Sequence, residues 1–344
     1  MRYQNVVRRV RNVNPASPKA NAITTNMAPI ISGEDFMDFL YVHFPVSGVD
    51  SFILFPPLVA FVVSFFTSMA GVSGAFLLLP YQMSVLGYVT PSVSATNQVY
   101  NIVGIPSGVY RYLREGRMVW PLTWAVIIGT LPGVFLGAWI RIFHLPDPKS
   151  FKLFAGLVLL YIGIQLVKDI IRGGREAALA RKSNNKGPEG GVCITDAKFS
   201  LKCVEYKFAG QTYAFSPWGV LLLCFIVGVV GGVYGVGGGA IVAPFFVAIY
   251  KMPVYTVAGA ALMGTFITSV AGALFYQMLD FTSLSKIAVA PDWALGSLFG
   301  IGGLGGMYLG ARCQKYVPAR AIKGILALII ATTAANYIVE FFAG

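Results

Sequence analysis

The sequence predicts an all-α polytopic membrane protein with about ten transmembrane or hairpin helices, arranged as two inverted five-helix repeats. Three observations support this prediction: a composition too apolar for a soluble domain, ten regularly spaced apolar segments, and a glycine-rich motif that occurs twice. Of the 344 residues, 56% are hydrophobic and only 12% are charged, whereas a soluble domain carries about 25% charged residues. The chain therefore lacks the charge to solvate its own surface.

A polar tail of 50 residues precedes the apolar segments. Its start is basic and is not followed by an apolar core of the signal-peptide type, so we expect no cleaved signal. Near its end, residues 36–44 read FMDFLYVHF. This stretch is too short to cross a bilayer and predicts a short interfacial helix.

Ten apolar segments follow in two sets of five. The first set covers roughly residues 51–70, 74–89, 92–113, 119–141 and 150–171, and the second covers 216–233, 237–250, 254–279, 290–311 and 320–341. These bounds divide the chain into the tail (1–50), a first transmembrane repeat (51–171), a cytoplasmic insertion (172–215) and a second transmembrane repeat (216–344).

The two sets of segments share one pattern of residues. The first glycine motif, residues 71–80, reads GVSGAFLLLP, and the second glycine motif, residues 235–244, reads GVGGGAIVAP, at an offset of 164 residues. Tyr112 and Tyr276 match at the same offset. Because each repeat makes an odd number of crossings, the second repeat enters from the opposite side of the membrane, which predicts inverted repeats.

Glycines spaced four residues apart mark the fourth segment of each set. They are Gly129, Gly133 and Gly137 in the first repeat and Gly302, Gly306 and Gly310 in the second. Small residues at this spacing allow helices to approach closely. We interpret both glycine stripes as packing features rather than as transport features.

The basic residues predict the orientation of the chain. With both termini outside, the cytoplasmic connections carry 17 Lys and Arg residues and the outer connections carry 4, as the positive-inside rule requires. The basic start of the tail argues the other way, but it lies far from the first span, where the rule is weak. The net charge of +12 therefore reflects topology, and we expect no nucleic-acid partner.

The insertion at residues 172–215 is hydrophilic. Its first part, residues 172–191, is charged and is expected to be mobile. Residues 198–208 alternate apolar and polar side chains, and residues 211–215 follow after an Ala-Gly pair, which predicts a small β-hairpin. The insertion could bind a regulator, but a plain connector is the simpler interpretation.

Each glycine motif interrupts an apolar run, and the segment that follows is short against the roughly 20 residues needed to cross hydrocarbon. Broken backbone at that depth is tolerated where it is buried in protein or lines a cavity. Paired interruptions in two halves of a chain indicate a transporter's binding site. Two converging helix N-termini would form an anion site, because their first N–H groups are unpaired and their dipoles are positive there. The alternative is that the glycines only permit tight helix crossing.

The candidate substrate-binding residues come from both glycine motifs and from the third segment of each repeat. They are Gly71, Ser73, Gly74, Gly235, Gly237 and Gly238 from the motifs, with Asn97, Asn101, Thr265 and Thr268 from the third segments. Neutral amide and hydroxyl donors suit an oxyanion that the helix ends stabilise. Polar side chains inside a membrane can also simply bond to a neighbouring helix.

The sequence contains no convincing catalytic or metal-binding constellation. Its four cysteines and two histidines are scattered, and neither glycine motif contains one. No ionisable residue lies in the middle of a predicted span, which disfavours a proton relay. The sequence also contains no phosphate-binding loop, so we do not expect ATP to be the direct energy source. We expect no cofactor, no metal and no enzymatic activity. Expelling an anion from a cell that is negative inside is favourable by about 2.3 kcal/mol per charge per 100 mV.

The sequence resembles the sulfite exporter TauE/SafE family, also called the toluene-sulfonate uptake permease family. The resemblance rests on the two glycine motifs, the duplicated architecture and the polar third segment, and it covers about residues 51–341. The first motif departs from the second at Ser73 and Ala75, where the second has Gly237 and Gly239.

The resemblance implies a multi-pass permease of the cell (inner) membrane that moves small sulfur-containing anions. Sulfite, sulfoacetate and related organosulfonates are the expected substrates, and export is the expected direction. The implied partners are the lipid bilayer and the small anionic substrate, while the oligomeric state stays open. An anion channel and a membrane-embedded sulfur-handling enzyme are the alternatives.

Overall fold

The computed structural model describes residues 40–343 except for 71, 115, 117, 183–194, 200–203, 209–210, 251, 253, 283–286 and 314–318. The first repeat contains α1 (Phe55–Ala70), α2 (Ala75–Ser84), α3 (Ser92–Gly104), α4 (Pro106–Arg114), α5 (Trp120–Phe143) and α6 (Pro148–Lys182). The second contains α7 (Pro217–Tyr234), α8 (Gly238–Ile249), α9 (Val254–Phe281), α10 (Trp293–Cys313) and α11 (Ala319–Ala343). These helices follow the ten predicted segments.

Several of these helices have the length and composition of membrane spans. Within the described residues, five qualify: Trp120–Phe143, Pro148–Ile171, Pro217–Tyr234, Val257–Phe281 and Arg320–Ala343. Large apolar side chains such as Leu58, Ile128 and Leu222 are more than half exposed on the outside, as contact with lipid tails requires. The predicted fold class, an all-α multi-pass membrane protein, is confirmed, while the inversion of the repeats stays a prediction.

The helices after the two glycine motifs are too short to cross a membrane. α2 has 10 residues and α8 has 12, and at a rise of about 1.5 Å per residue neither covers the thickness of the hydrocarbon core. Both contain the proline of their motif, Pro80 in α2 and Pro244 in α8. The prediction of a broken helix at each motif is confirmed.

The third predicted segment of the first repeat is not one helix but two. α3 ends at Gly104 and α4 begins at Pro106, with Ile105 between them. Proline has no N–H group and its ring clashes with the carbonyl four residues earlier, so the helix breaks there. The equivalent helix α9 contains no proline and continues for 28 residues.

Helix contacts between the two repeats occur in matching pairs. α5 packs along α7, and α10, the counterpart of α5, packs along α1. The glycine stripes line both contacts: a Cβ added at Gly133 would lie 2.3 Å from the Phe225 carbonyl oxygen, and one at Gly306 would lie 2.2 Å from that of Phe61. The stripes therefore serve close packing, as predicted. α3 also contacts α9, and α6 contacts α11, so the most extensive helix contacts have a counterpart when the repeats are exchanged.

The insertion is more ordered than the sequence analysis predicts. α6 continues as helix to Lys182, because the charged stretch is rich in Arg, Glu, Ala and Leu, which favour helix. The strands β3 (Thr195–Phe199), β4 (Val204–Phe208) and β5 (Gln211–Phe215) then form an antiparallel sheet in the order β3-β4-β5. The predicted hairpin is thus part of a three-stranded sheet.

A β-hairpin precedes α1, where the sequence analysis placed the end of an interfacial helix. β1 (Tyr41–Phe44) pairs antiparallel with β2 (Val49–Phe52), so the helix prediction is wrong for residues 41–44, while residues 36–39 lie outside the described part of the chain. Gly48 explains the difference: it takes a φ of +68° and its N–H donates to the Phe44 carbonyl at 2.8 Å. This turn brings the two strands together, since glycine adopts positive φ without strain.

Candidate functional site

The second glycine motif forms a backbone turn built on two left-handed glycines. Gly235 ends α7 with a φ of +82°, and Gly237 precedes α8 with a φ of +76°. The N–H groups of Gly235 and Val236 both donate to the Gly231 carbonyl, at 2.9 and 3.0 Å. Only glycine takes such backbone angles at little cost. The sequence of this motif therefore determines how α7 ends and how α8 begins.

The first glycine motif begins its helix differently. Gly71 lies outside the described residues, and Gly74 is right-handed with a φ of −61°. Ser73 supplies a side chain where the second motif has Gly237, and its hydroxyl accepts a hydrogen bond from the Ala75 N–H at 3.3 Å. One first-turn donor of α2 is thus satisfied by a side chain, in the manner of a helix cap.

A tyrosine brings the two motifs into contact. Tyr234, the residue before the second motif, donates its hydroxyl to the Phe76 carbonyl in the first turn of α2 at 2.9 Å. The two aromatic rings are also adjacent, with centroids 5.9 Å apart. Both residues are buried. The end of α7 and the beginning of α2 therefore meet inside the protein.

One face of α3 contacts both motifs. Asn97 donates its amide N–H to the Ala75 carbonyl at 3.1 Å, and Asn101 donates to the Val236 carbonyl at 2.9 Å. Asn101 also donates to the Ser269 hydroxyl of α9 at 3.3 Å. Both asparagines have no solvent exposure. α3 consequently connects the start of α2, the turn before α8 and the middle of α9.

The two predicted threonines lie on α9, and their hydroxyl protons are used within that helix. Thr265 donates to the Ala261 carbonyl at 2.7 Å, and Thr268 donates to the Gly264 carbonyl at 2.6 Å. Thr265 still contacts the second motif, since a Cβ added at Gly237 would lie 3.1 Å from its methyl carbon. Thr265 therefore packs against the second motif, while Ser269 makes the polar contact with Asn101.

The described glycines of the motifs pack tightly on their neighbours. A Cβ would lie 2.4 Å from the Tyr100 hydroxyl at Gly74, 2.2 Å from the Ser94 carbonyl at Gly235, and 2.7 Å from the Thr130 side chain at Gly238. No Cβ fits at these distances unless its neighbour moves, which the Ser94 backbone cannot do and the end of the Tyr100 side chain can. The glycines thus have the packing role of the alternative interpretation. The first N–H groups of α2 already have partners, since those of Phe76 and Leu77 donate to the carbonyls of Ser73 and Gly74 at 3.4 and 3.1 Å. Main-chain donors for a ligand are therefore expected at the start of α8.

A buried arginine near the end of α5 was missed by the sequence analysis. Arg141 has no solvent exposure, and its guanidinium donates to the Leu145 carbonyl and, at 3.2 Å, to the Val89 carbonyl. It also lies 3.7 Å above the ring of Phe151. Arg141 follows Gly137 by four residues, so the register of the glycine stripe could have indicated that it is buried.

A separate groove of about 740 Å³ lies between α1, α2 and α11. Its walls are mostly apolar and include Phe66, Leu77 and Ile325, so it suits hydrocarbon better than an anion. Polar groups occur at one side, where Ser84 and Tyr337 share a hydrogen bond of 2.8 Å. Leu77 and Pro80 of the first glycine motif line this groove, but Asn97, Asn101 and the second motif do not.

The cysteines that the structure describes have packing environments. Cys224 is buried, next to the place where a Cβ of Gly129 would lie, and Cys313 is partly buried near the end of α10. Cys193 and Cys203 lie outside the described residues. Within the described part of the chain, no three His, Cys, Asp or Glu side chains form a group that could hold a metal ion.

Comparison with known proteins gives one family and one curated relative. The profile of the family described as "Sulfite exporter TauE/SafE" matches residues 57–337. A relative in Bacillus subtilis (strain 168), "Probable membrane transporter protein YunE", is 22% identical over 284 residues, which cover 79% of this chain and 92% of that protein. No solved structure matches the chain significantly.

Proposed function

The chain belongs to the sulfite exporter TauE/SafE family, and on that premise we propose that it is a permease for small sulfur-containing anions. Sulfite, sulfoacetate or related organosulfonates are the proposed substrates, and export is the proposed direction. The anion would bind where the two glycine motifs meet, at the N-termini of α2 and α8. Transport, rather than chemical conversion of the substrate, is the proposed activity.

The observation that supports this site most strongly is the position of α3. Asn97 and Asn101 lie one turn apart on one face of that helix, and each bonds to a different glycine motif. The starts of α2 and α8 therefore lie near a common region lined by neutral amides. Helix N-termini favour negative charge, because their N–H groups point outward and their dipoles add positive potential. An anion can be held there without a buried lysine.

The proposed export does not require a coupling acid. Asp292 is a buried carboxylate, and its oxygens accept from the Leu295 N–H at 3.0 Å and from the Ser47 hydroxyl at 2.8 Å. It therefore caps α10 and attaches the N-terminal hairpin. Export of a monovalent anion down an inside-negative potential gains about 2.3 kcal/mol per 100 mV. That gain is available without any titrating side chain.

The test is the flux of radiolabelled sulfite in proteoliposomes held at an inside-negative potential. We expect efflux well above that of empty vesicles, together with saturation and competition by other sulfur oxyanions. Saturation separates a permease from a channel, which would conduct with little selectivity. Wild-type vesicles that do not differ from empty ones for any sulfur oxyanion would contradict the proposal.

A matched pair of variants tests the position of the site. Asn101→Leu removes the amide that contacts the second motif and Ser269, and we expect it to weaken substrate affinity at least about tenfold. Asn336→Leu makes the same substitution at the groove on α11, so it controls for membrane insertion and expression. Equal affinities of Asn101→Leu and Asn336→Leu would remove Asn101 from the site.

A further inference from the structure

A cluster of unpaired polar atoms lies on the same face of α3. Asn97, Gln98 and Asn101 have no solvent exposure. Among the described residues, the Oδ1 atoms of Asn97 and Asn101 and both amide atoms of Gln98 have no hydrogen-bond partner. Leaving a buried polar group unpaired costs about 1–3 kcal/mol. Several unpaired atoms on one helix turn therefore indicate a place where a polar occupant binds.

The unpaired atoms of the two asparagines are oxygens, and this assignment is fixed by their other contacts. The Asn97 and Asn101 amide nitrogens face the carbonyl oxygens of Ala75 and Val236, at 3.1 and 2.9 Å. Carbonyl oxygens only accept, so turning either amide over would place two oxygens against each other. Asn97 and Asn101 consequently present acceptors, and not donors, to their unfilled side.

Gln98, whose unpaired amide offers an oxygen acceptor and N–H donors, extends this polar cluster towards α9. A Cβ added at Gly272 would lie 2.1 Å from the Gln98 Oε1, so the glutamine amide packs directly on the backbone of α9 where that helix lacks a side chain. The residues 97, 98 and 101 follow the i, i+1, i+4 spacing that places side chains on one helix face. The three amides thus form one polar strip between the two glycine motifs and α9.

An occupant that satisfies all of these groups has two properties. It carries negative charge for the N-terminus of α8, and it keeps a hydrogen-bond donor for the amide oxygens. We propose, on the basis of the function proposed above, that this site selects monoanions that retain a donor. Hydrogensulfite and hydroxyl-bearing sulfonates meet both conditions. The sulfite dianion and sulfate lack the donor and would place oxygens against oxygens.

Such a site gives a physical reason for discrimination among similar anions. A site built to hydrogen-bond a substrate group can reject an analogue that lacks the group by about 10⁴-fold, because its own polar atoms are then left unpaired. Sulfate resembles sulfite in size and charge but carries no proton at neutral pH. With this polar strip in its binding site, the protein would export hydrogensulfite and leave sulfate in the cell.

The experiment compares two ligands that differ by one hydroxyl group, isethionate and ethanesulfonate. Their affinities are measured on purified full-length protein in detergent, from the ligand-dependent rise in the midpoint of thermal unfolding. We expect isethionate to bind at least about tenfold more tightly. In vesicles, sulfite flux at constant total sulfite is expected to fall as rising pH converts hydrogensulfite into the dianion.

Gln98→Met provides the variant test, because methionine keeps the volume of glutamine and removes two unpaired atoms. We expect unchanged or higher thermal stability, together with an isethionate preference that falls towards one. Asn336→Leu, on α11, is the control and is expected to retain the wild-type preference. An unchanged preference in Gln98→Met would overturn the role of Gln98 in selection.

The outcomes separate this inference from the proposed transport function. Sulfite flux together with equal affinities for isethionate and ethanesulfonate would overturn the inference and leave the transport function standing. A tenfold preference without flux of any sulfur oxyanion would overturn the transport function and support the selection rule. Absence of binding by both ligands would overturn the binding site itself.

Discussion

The two glycine motifs occupy equivalent places in the two repeats, yet they begin their helices by different means. The second motif uses main-chain geometry, with Gly235 and Gly237 both at positive φ. The first motif uses a side chain, the Ser73 hydroxyl, and a right-handed Gly74. The groups that pack on the glycines also differ between main chain and side chain. Gly235 packs on the backbone at Ser94, and Gly74 packs on the Tyr100 hydroxyl.

This difference shows that one duplicated motif can keep its position while its conformational requirements change. Backbone atoms of a neighbouring helix cannot move aside, whereas the end of a tyrosine side chain can. The second motif is therefore expected to tolerate no side chain, and the first is expected to tolerate a small one. Four predictions test this contrast, from the largest expected effect to the smallest.

The largest effect is expected for Gly235→Ala. A left-handed backbone costs about 1–2 kcal/mol for a residue with a Cβ, and the new carbon would lie 2.2 Å from the Ser94 carbonyl oxygen. We expect a large drop in the midpoint of thermal unfolding in detergent, or loss of folded protein. Gly74→Ala, in the first motif, is the comparison and is expected to be milder, because Gly74 is right-handed and packs on the end of a side chain. Equal drops would contradict the contrast.

A reciprocal exchange of Ser73 and Gly237 sharpens the comparison. Gly237→Ser places a side chain at a φ of +76°, which costs about 1–3 kcal/mol, and its Cβ would lie 2.8 Å from the Ser269 hydroxyl. Ser73→Gly removes only a capping bond, at a cost of a few tenths of a kcal/mol. Thermal unfolding of both variants measures the asymmetry. Similar losses in the two would show that the motifs are equivalent after all.

The asparagines of α3 test whether the two motifs depend on the same helix face. Asn97→Leu frees the Ala75 carbonyl, and Asn101→Leu frees the Val236 carbonyl and the Ser269 hydroxyl. Each variant is expected to lose about 1–3 kcal/mol of stability, with the larger effect on sulfite affinity at Asn101. A larger loss of sulfite affinity in Asn97→Leu than in Asn101→Leu would contradict this expectation.

The smallest effect is expected for Tyr234→Phe, which removes the direct hydrogen bond between the motifs and keeps the aromatic contact with Phe76. A single neutral hydrogen bond contributes about 0.5–1.5 kcal/mol, so a small decrease in thermal stability is expected. Tyr308→Phe, on the exposed side of α10, is the control. An unchanged midpoint for Tyr234→Phe would show that this bond does not hold the motifs together.

The sequence predicted the segments well because apolar runs and their interruptions are local signals. The spacing of Asn97 and Asn101 also placed them correctly on one face. Their partners were not predictable, because the carbonyls of Ala75 and Val236 lie 22 and 135 residues away in the chain. Hydrogen bonds over such distances depend on helix packing, which no local pattern encodes.

Two further features were missed for different physical reasons. Pro106 is visible in the sequence, but a proline inside an apolar run either kinks a helix or ends it, and the packing around it decides which occurs. Arg141 was counted among the outer connections because arginine near a span end usually reaches water. Its burial became predictable only through its register with the glycine stripe.

The most direct test of the account is to locate a bound anion. Crystals of the full-length protein soaked with selenite, a heavier analogue of sulfite, would reveal the selenium atom by anomalous diffraction. The account predicts a peak between the N-termini of α2 and α8, within hydrogen-bonding distance of Asn97 or Asn101. A peak only at Arg141 or in the groove beside α11, with none between the glycine motifs, would contradict it.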